Sequence, residues 1–77
     1  MPRIHQIGKL KIVIYAGDHA PPHFHIRSPE SNCQVRIDNL QVMEGEYDPK
    51  EYAIALAWAS ENLEILLSKW EELNERD

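Results

Sequence analysis

The sequence predicts a small α+β domain of two layers, with an antiparallel meander of about four strands followed by two C-terminal helices, or one kinked helix, packed on one face. The first half alternates apolar and polar residues in short runs broken by Gly and Pro, as half-buried strands do. The second half repeats apolar residues every three or four positions, as an amphipathic helix does. The 77 residues allow one domain, residues 1–77. A homodimer or a partner protein is expected to complete so small a core.

The strands are delimited by turn-forming residues. Gly8 separates the first two, which we expect to form a hairpin. Pro21-Pro22 fixes two backbone φ angles and directs the chain into the third strand. The predicted strands cover residues 4–7, 9–15 and 23–27, with a fourth opening at Cys33 or Gln34, while residues 40–45 fit either another strand or an irregular connection.

The helical segment begins at Asp48-Pro49, because Asp accepts hydrogen bonds from free backbone donors and Pro is favoured in the first helical position. Its one candidate break is Ser60-Glu61-Asn62, where Ser and Asn compete for backbone hydrogen bonds. Trp58 falls off the apolar stripe, which suggests a partner interface, and His5 is expected to be an ordinary surface residue. The stripe predicted to be buried contains Tyr52, Leu56, Ala59, Leu63, Leu66, Leu67, Trp70 and Leu73.

Charge is divided unevenly along the chain. Residues 1–36 contain five Lys or Arg and two acidic residues, a net charge of +3, whereas the remaining 41 residues carry −8. All four histidines lie in the basic half. The division predicts an anion-binding surface at one end of the molecule, although two ordinary solvated faces would give the same pattern.

Cysteine use and hydropathy indicate a compartment. Cys33 is the one cysteine, so no internal disulfide forms, and no neighbour lowers its pKa to make it a nucleophile. The start of the chain does not read as a signal peptide. The longest apolar run, residues 53–59, is far shorter than the roughly 20 residues of a membrane helix. We therefore expect a cytoplasmic protein with no membrane partner.

The most unusual stretch is Gly17 to Arg27, which holds three of the four histidines. Strand alternation puts Phe24 and Ile26 on one face and His23, His25 and Arg27 on the other. If the helices cover the first face, the second stays open. The residues expected on this open face are Lys11, Val13, Tyr15, His23, His25, Arg27 and Arg36.

Three interpretations of the histidines remain open. Asp18, His19, His23 and His25 have the residue types of a zinc, nickel or copper site, and two histidines on one strand face can reach a single ion. A structural hydrogen-bonding cluster is the more common outcome of such a turn, and the spacing alone favours it over a divalent metal cofactor.

The third interpretation is acid–base chemistry on an anionic substrate. His23 and His25 would move protons while Arg27 or Lys11 stabilises the charge on a phosphate, as metal-independent RNA cleavage requires. Tyr15 would stack on a base or donate a hydrogen bond. Whether the protein is an enzyme stays open, because no second catalytic element is placed relative to the histidines.

The run Asp18-His19-Ala20-Pro21-Pro22-His23-Phe24-His25, with Met-Pro-Arg-Ile at the start and Glu61-Asn62, Leu66-Leu67 and Trp70 near the end, resembles a small prokaryotic family called domain of unknown function 4160. The resemblance extends over nearly the whole chain. It implies the toxin of a type II toxin–antitoxin module, paired with a small protein of the domain of unknown function 2442 family.

Two functions are therefore expected. In the first, the basic, histidine-bearing sheet face of a toxin acts on or binds an anionic target such as RNA, and a small acidic antitoxin covers it. In the second, the chain is a non-enzymatic binding or regulatory module whose face and helices form a protein interface. The residues expected to bind a target are Lys11, Tyr15, Asp18, His19, His23, His25 and Arg27.

Overall fold

The chain folds into a five-stranded antiparallel sheet followed by two helices, in a computed structural model that describes residues 3–19 and 21–74. The strands follow one another across the sheet in chain order, which confirms the α+β meander, with five strands where about four were predicted. Met1, Pro2 and Ala20 of the sequence motif and the end of the predicted helical segment, residues 75–77, lie outside the described residues. The elements are β1 (Arg3–Ile7), β2 (Leu10–Val13), β3 (His23–Ser28), β4 (Ser31–Arg36), β5 (Val42–Glu46), α1 (Pro49–Ser60) and α2 (Leu63–Asn74).

The predicted hairpin at Gly8 joins β1 and β2. Ile7 lies opposite Leu10, so two residues make the connection, and Gly8 has a φ of 60°. A positive φ in a two-residue hairpin turn is where glycine is preferred, since it has no Cβ to clash with the backbone. The turn sets the register that puts Leu10 and Ile12 into the core.

The undecided segment after residue 40 forms β5, the edge strand beside β4. Gly45 pairs with Cys33 and has a φ of 103°. A Cβ at this position would collide with the backbone carbonyl oxygen of Asn32. Gly45 therefore lets the edge strand approach β4 more closely than any side chain would permit.

Both predicted helix boundaries are confirmed. The Asp48 carboxylate accepts from the backbone N–H groups of Lys50 and Glu51, and α1 starts at Pro49. The helix ends at Ser60, and α2 begins at Leu63 after two intervening residues, so the segment forms two helices. Within the described residues, neither helix has the length and apolar character needed to cross a membrane.

A serine pair anchors the start of α1 to the β3–β4 turn. The Ser28 and Ser31 hydroxyls both donate to Glu51 Oε1, at 2.5 and 2.6 Å, and Ser31 Oγ also accepts from the backbone N–H of Asp48. Hydrogen bonds to a charged acceptor are stronger than neutral ones. This contact, which the sequence did not predict, fixes the helix layer against one end of the sheet.

The core lies between one sheet face and the helices. Ala55 and Ala59 of α1 are fully buried, and their small side chains let the helix approach the strands closely. Cross-strand pairs Ile12 with Ile26 and Phe24 with Val35 supply the sheet side. The buried cluster contains Leu10, Ile12, Ile14, Phe24, Ile26, Cys33, Val35, Ile37, Ala55, Ala59, Leu66 and Trp70.

Several burial predictions were wrong. Leu63 and Leu67, assigned to the buried stripe, are 40% and 42% exposed, because α2 is a separate helix after the break and buries the side that carries Leu66 and Trp70. Val13, expected on the open face, is buried. Trp58 packs against the core and stacks on His5, with ring centroids 4.5 Å apart and planes at 8°.

Candidate functional site

The polar face of the sheet is ordered by the strand register. Along β3, His23, His25 and Arg27 alternate with the buried Phe24 and Ile26, so the three share the face opposite the aliphatic core. In the neighbouring strands, Val13 and Gln34 flank His25, while Lys11 and Asn32 flank Arg27. We call Asp18, His23 and His25 the histidine end of this face, and Lys11 and Arg27 its cationic end.

The expectation that the helices leave this face uncovered was wrong at the histidine end. His23 is 4% exposed, and its ring lies 5.0 Å from the buried ring of Trp70 in α2. The second helix therefore reaches the polar face near its own end. His23 is therefore enclosed by protein groups.

Asp18 binds both histidines through one oxygen. Its Oδ2 atom lies 3.2 Å from Nε2 of His23 and 3.1 Å from Nε2 of His25. The Asp18 side chain is 29% exposed and the His25 side chain 13%, so the group opens to solvent on the side of these two residues. The structure thus brings together three of the four predicted metal-ligand candidates, whereas His19 is exposed and lies outside the cluster.

The loop that carries Asp18 is held by the last residue of α2. Asn74 Oδ1 accepts from the backbone N–H of Asp18 at 2.7 Å, and Asn74 Nδ2 donates to the backbone oxygen of Tyr15 at 3.1 Å. Between them Gly17 has a φ of 80°, a conformation that glycine adopts without strain. Two hydrogen bonds across more than 50 positions of sequence therefore aim the carboxylate at the histidines.

The hydrogen bond made by Nδ1 of His23 shows which ring nitrogen carries the hydrogen. Nδ1 of His23 lies 2.8 Å from the backbone oxygen of Pro21. A carbonyl oxygen can only accept, so Nδ1 must donate to it. In the neutral ring, Nε2 then carries a lone pair and faces Asp18.

His25 is the strand residue of the histidine end that lies nearer the cationic end. Burial lowers the pKa of His25 below its ordinary value of 6.5, and the hydrogen bond and negative charge of Asp18 oppose this shift without cancelling it. The ring of Tyr15 meets His25 edge to face, with centroids 4.6 Å apart and planes at 85°. Burial therefore favours the neutral form of His25, and the contact with Tyr15 helps to orient its ring.

The cationic end is open to solvent. Lys11 and Arg27 lie directly opposite each other in β2 and β3, and both are exposed. Arg27 Nη1 donates to the Tyr15 hydroxyl at 2.6 Å, which links this end to the histidine end. Arg36, the other predicted cation of the face, is paired with Asp38 at 2.6 Å. A shallow groove at the cationic end is lined by Lys9, Lys11, Arg27, Ser28 and Pro29.

Other groups contribute no chemistry to this face. Cys33 is buried on the core face, and burial raises the pKa of its thiol, which agrees with its prediction as a spacer and not a nucleophile. Sequence reasoning missed Trp70 and Asn74 as parts of the site. Trp70 was correctly placed in the core, but no local pattern indicated which histidine it covers.

Comparison with known proteins gives one match. The sequence model of a family described as Domain of unknown function (DUF4160) matches residues 10–71, which include both ends of the polar face. No curated protein and no solved structure matches the chain.

Proposed function

The chain belongs to the family described as Domain of unknown function (DUF4160), and we propose that it is the toxin of a type II toxin–antitoxin module, as the family resemblance implies, and, from the charges on its polar face, that its target is RNA. The proposal concerns binding of the phosphate backbone at the cationic end. It assigns no turnover step, since His23 is buried and the predicted proton shuttle would need both histidines within reach of a substrate.

The observation that carries the proposal is the pairing of Lys11 with Arg27. Like charges directly opposite each other in a sheet destabilise it, so folding alone does not favour this pair. In the described part of the chain, no carboxylate forms an ion pair with either side chain. A bound phosphate would remove the repulsion, and an RNA backbone supplies phosphates in series.

Tyr15 and the neighbouring groove extend the binding surface. The hydroxyl of Tyr15 accepts from one nitrogen of Arg27, which orients the guanidinium while leaving its other N–H groups for an anion. Lys9 adds a third cation on the rim of the groove. A short stretch of single-stranded RNA would fit three cations arranged along one face, with Tyr15 beside a base.

The partner in this proposal is a small acidic protein of the domain of unknown function 2442 family. An acidic surface on that protein would cover Lys11 and Arg27 and exclude RNA by competing for the same charges. Cytoplasmic location follows from the proposal, since both the RNA and the partner would be encountered there.

The proposal is tested by expressing the chain alone and by measuring the binding of a single-stranded RNA 12-mer by fluorescence anisotropy. Lys11→Gln with Arg27→Gln should abolish growth arrest and reduce the magnitude of the slope of log affinity against log salt by about 1.4, since each lost phosphate contact removes about 0.7. Lys50→Gln, an exposed lysine on α1, is the matched control and should leave both unchanged. Growth arrest and RNA binding that persist in the double variant would overturn the proposal.

The alternative, a non-enzymatic binding module, is favoured by a different observation. Leu63 and Leu67 are exposed and line an apolar groove with Pro22 and Ile37, and Asp38 and Glu64 lie on its rim. This chemistry fits a partner protein that inserts an apolar side chain flanked by a basic residue.

Leu67→Glu distinguishes the two functions, because it changes the groove without touching the cationic end. Loss of partner binding in Leu67→Glu, with retention in Lys11→Gln/Arg27→Gln, would support the binding module. The reverse pattern would support the toxin. Sedimentation of the purified chain shows whether a second copy of the chain occupies the groove instead, which would count against a heterologous partner at this place.

A further inference from the structure

We propose that Asp18, His23 and His25 bind one divalent transition-metal ion, of which zinc is the simplest example, with a coordination position open to solvent. This inference does not depend on the function proposed above. It uses the histidine end of the polar face, whereas RNA binding uses the cationic end. The spacing of residues in the sequence favours a hydrogen-bonding cluster, whereas the distances in the structure fit a bound ion.

The distances from the Asp18 oxygen to the two histidine nitrogens are those found between neighbouring ligand atoms in a coordination shell. Metal–nitrogen and metal–oxygen bonds of about 2.0–2.2 Å place neighbouring ligand atoms roughly 3–3.5 Å apart. The Asp18 Oδ2 atom lies 3.2 Å from Nε2 of His23 and 3.1 Å from Nε2 of His25. One ligand atom from each residue falls within 4.8 Å of the others. An ion could therefore be bound with small side-chain rotations.

The hydrogen inventory of His23 requires a cation between its Nε2 and Asp18. Nδ1 donates to the Pro21 carbonyl oxygen, so Nε2 of the neutral ring presents a lone pair. That lone pair faces a carboxylate oxygen at 3.2 Å, an arrangement that is repulsive without a positive charge on the line between them. A proton on His23 or on Asp18, or a metal ion, removes this repulsion.

A metal ion fits the surroundings better than a proton. A proton on His23 would make an imidazolium that is 4% exposed, packed against Trp70, with the ring of His25 at 5.2 Å. His25 directs its Nε2 at the same Asp18 oxygen, so the ligand atoms of all three residues converge on one point. A single ion accepts all three ligand atoms at once, which is the role of paired histidines and one carboxylate in open metal sites.

The groups around the three ligands have the form of a supporting shell. A histidine that binds a metal usually donates its other ring N–H to a carbonyl or carboxylate, as His23 does to Pro21. Asn74 holds the backbone of Asp18, and Trp70 covers His23 on the protein side. The site is therefore organised before any ion enters, and ordering it on binding would cost little.

The exposed side of the site indicates an open metal site and not a closed structural one. Asp18 and His25 face solvent in part, so an ion could enter there and keep a water ligand. Structural zinc sites are closed by four protein ligands, and sites with three ligands leave a position for water or substrate. Imidazole nitrogens suit zinc, nickel, copper and iron, and the thiol of Cys33 lies on the other sheet face.

The test uses protein purified without an affinity tag and stripped with a chelator. Calorimetric titration with Zn²⁺ should show one ion per chain, and Co²⁺ should give the visible absorption of a bound ion. Asp18→Asn and His25→Gln should each weaken binding by more than about 100-fold, since loss of an outer-shell partner alone costs about 10- to 100-fold. Asn74→Ala should weaken it by about 10-fold.

His19→Gln is the matched control, because His19 adjoins Asp18 in sequence but lies outside the cluster. It should bind zinc as the wild type does. Near-ultraviolet circular dichroism confirms that each stripped variant is folded, and zinc should raise the melting temperature of the wild type but not of Asp18→Asn. The inference would be overturned if the folded wild type failed to bind one ion, or if Asp18→Asn and His25→Gln bound zinc as tightly as the wild type does. Either result would leave the RNA proposal untouched.

Discussion

At the histidine end of the polar face, His23 lies beneath Trp70 and shares Asp18 with His25. Two positions after His25 in β3, Arg27 is exposed to solvent opposite Lys11. Both ends come from the same strand and the same side of the sheet. The histidine end is held by contacts from α2, more than 40 positions away in sequence, whereas the cationic end is defined by strand pairing alone.

The difference shows that strand alternation and surface exposure are separate properties. Alternation decides which side chains share a face. Whether that face is covered depends on where a distant helix ends, and here α2 ends over one half of it. A polar face can thus contain an enclosed, preorganised site and an exposed charged surface side by side.

Replacement of Trp70, which covers His23, should have the largest effect on stability. Trp70→Ala should lower the free energy of unfolding by about 3–5 kcal/mol, because it leaves a cavity in the core and exposes His23. Urea denaturation measures it. Leu67→Ala on the same helix, where the side chain is already exposed, should change stability much less. Equal losses in the two variants would mean that Trp70 does not close the histidine end.

Release of the Asp18 loop should have the next largest effect. Asn74→Ala removes the hydrogen bonds to the Asp18 N–H and the Tyr15 carbonyl, and should cost about 1–3 kcal/mol of unfolding free energy. Hydrogen exchange should accelerate at the Asp18 amide in particular. Glu71→Ala, at an exposed position one turn earlier, should stay within about 0.5 kcal/mol of the wild type and leave that amide protected.

At the cationic end, a charge reversal should affect stability and binding in opposite directions. Lys11→Glu places a carboxylate opposite Arg27 and should raise the free energy of unfolding by about 0.2–1 kcal/mol. The same change should weaken RNA binding strongly. Thermal denaturation and fluorescence anisotropy on one preparation measure both, with Lys50→Glu as the control. A destabilised variant would show that the like-charge pair has a structural role.

Titration of His25 should give the smallest effect. Its pKa lies below the ordinary 6.5, mainly because of burial, so in chelator-treated protein its ring proton resonance should titrate with a midpoint below that value. A depressed pKa contributes stability that is complete above the unfolded pKa of about 6.5 and is lost as the pH falls toward the folded pKa. His25→Gln should reduce the dependence of the free energy of unfolding on pH across this range. A midpoint at or above 6.5 would contradict the burial of the ring.

Much of the fold could be predicted from local patterns. The cap at Asp48, the break after Ser60 and the hairpin at Gly8 each depend on a few neighbouring residues whose backbone preferences are strong. The face shared by His23 and His25 follows from the period of two in a strand.

The rest depends on contacts that local patterns do not encode. Local patterns do not decide whether the segment of β5 is a strand, because its pairing requires Gly45 to approach the backbone of Asn32. Leu63 and Leu67 have helical spacing, but α2 packs on the side that carries Leu66 and Trp70, and local spacing does not encode that choice. The hydrogen bond from His23 to Pro21, which assigns the proton, becomes visible only with the side-chain rotamer in place.

Each of the two tryptophans has a histidine ring as its neighbour, and the two pairs lie in different parts of the molecule. Trp70 is 5.0 Å from His23, whereas Trp58 stacks on His5 at 4.5 Å. Indole emission responds to the charge and ligation of an adjacent imidazole, so Trp70 serves as an intrinsic optical reporter of the histidine end. Trp58→Phe would isolate its signal, and the natural fluorescence of the protein could then follow ion uptake without any added label.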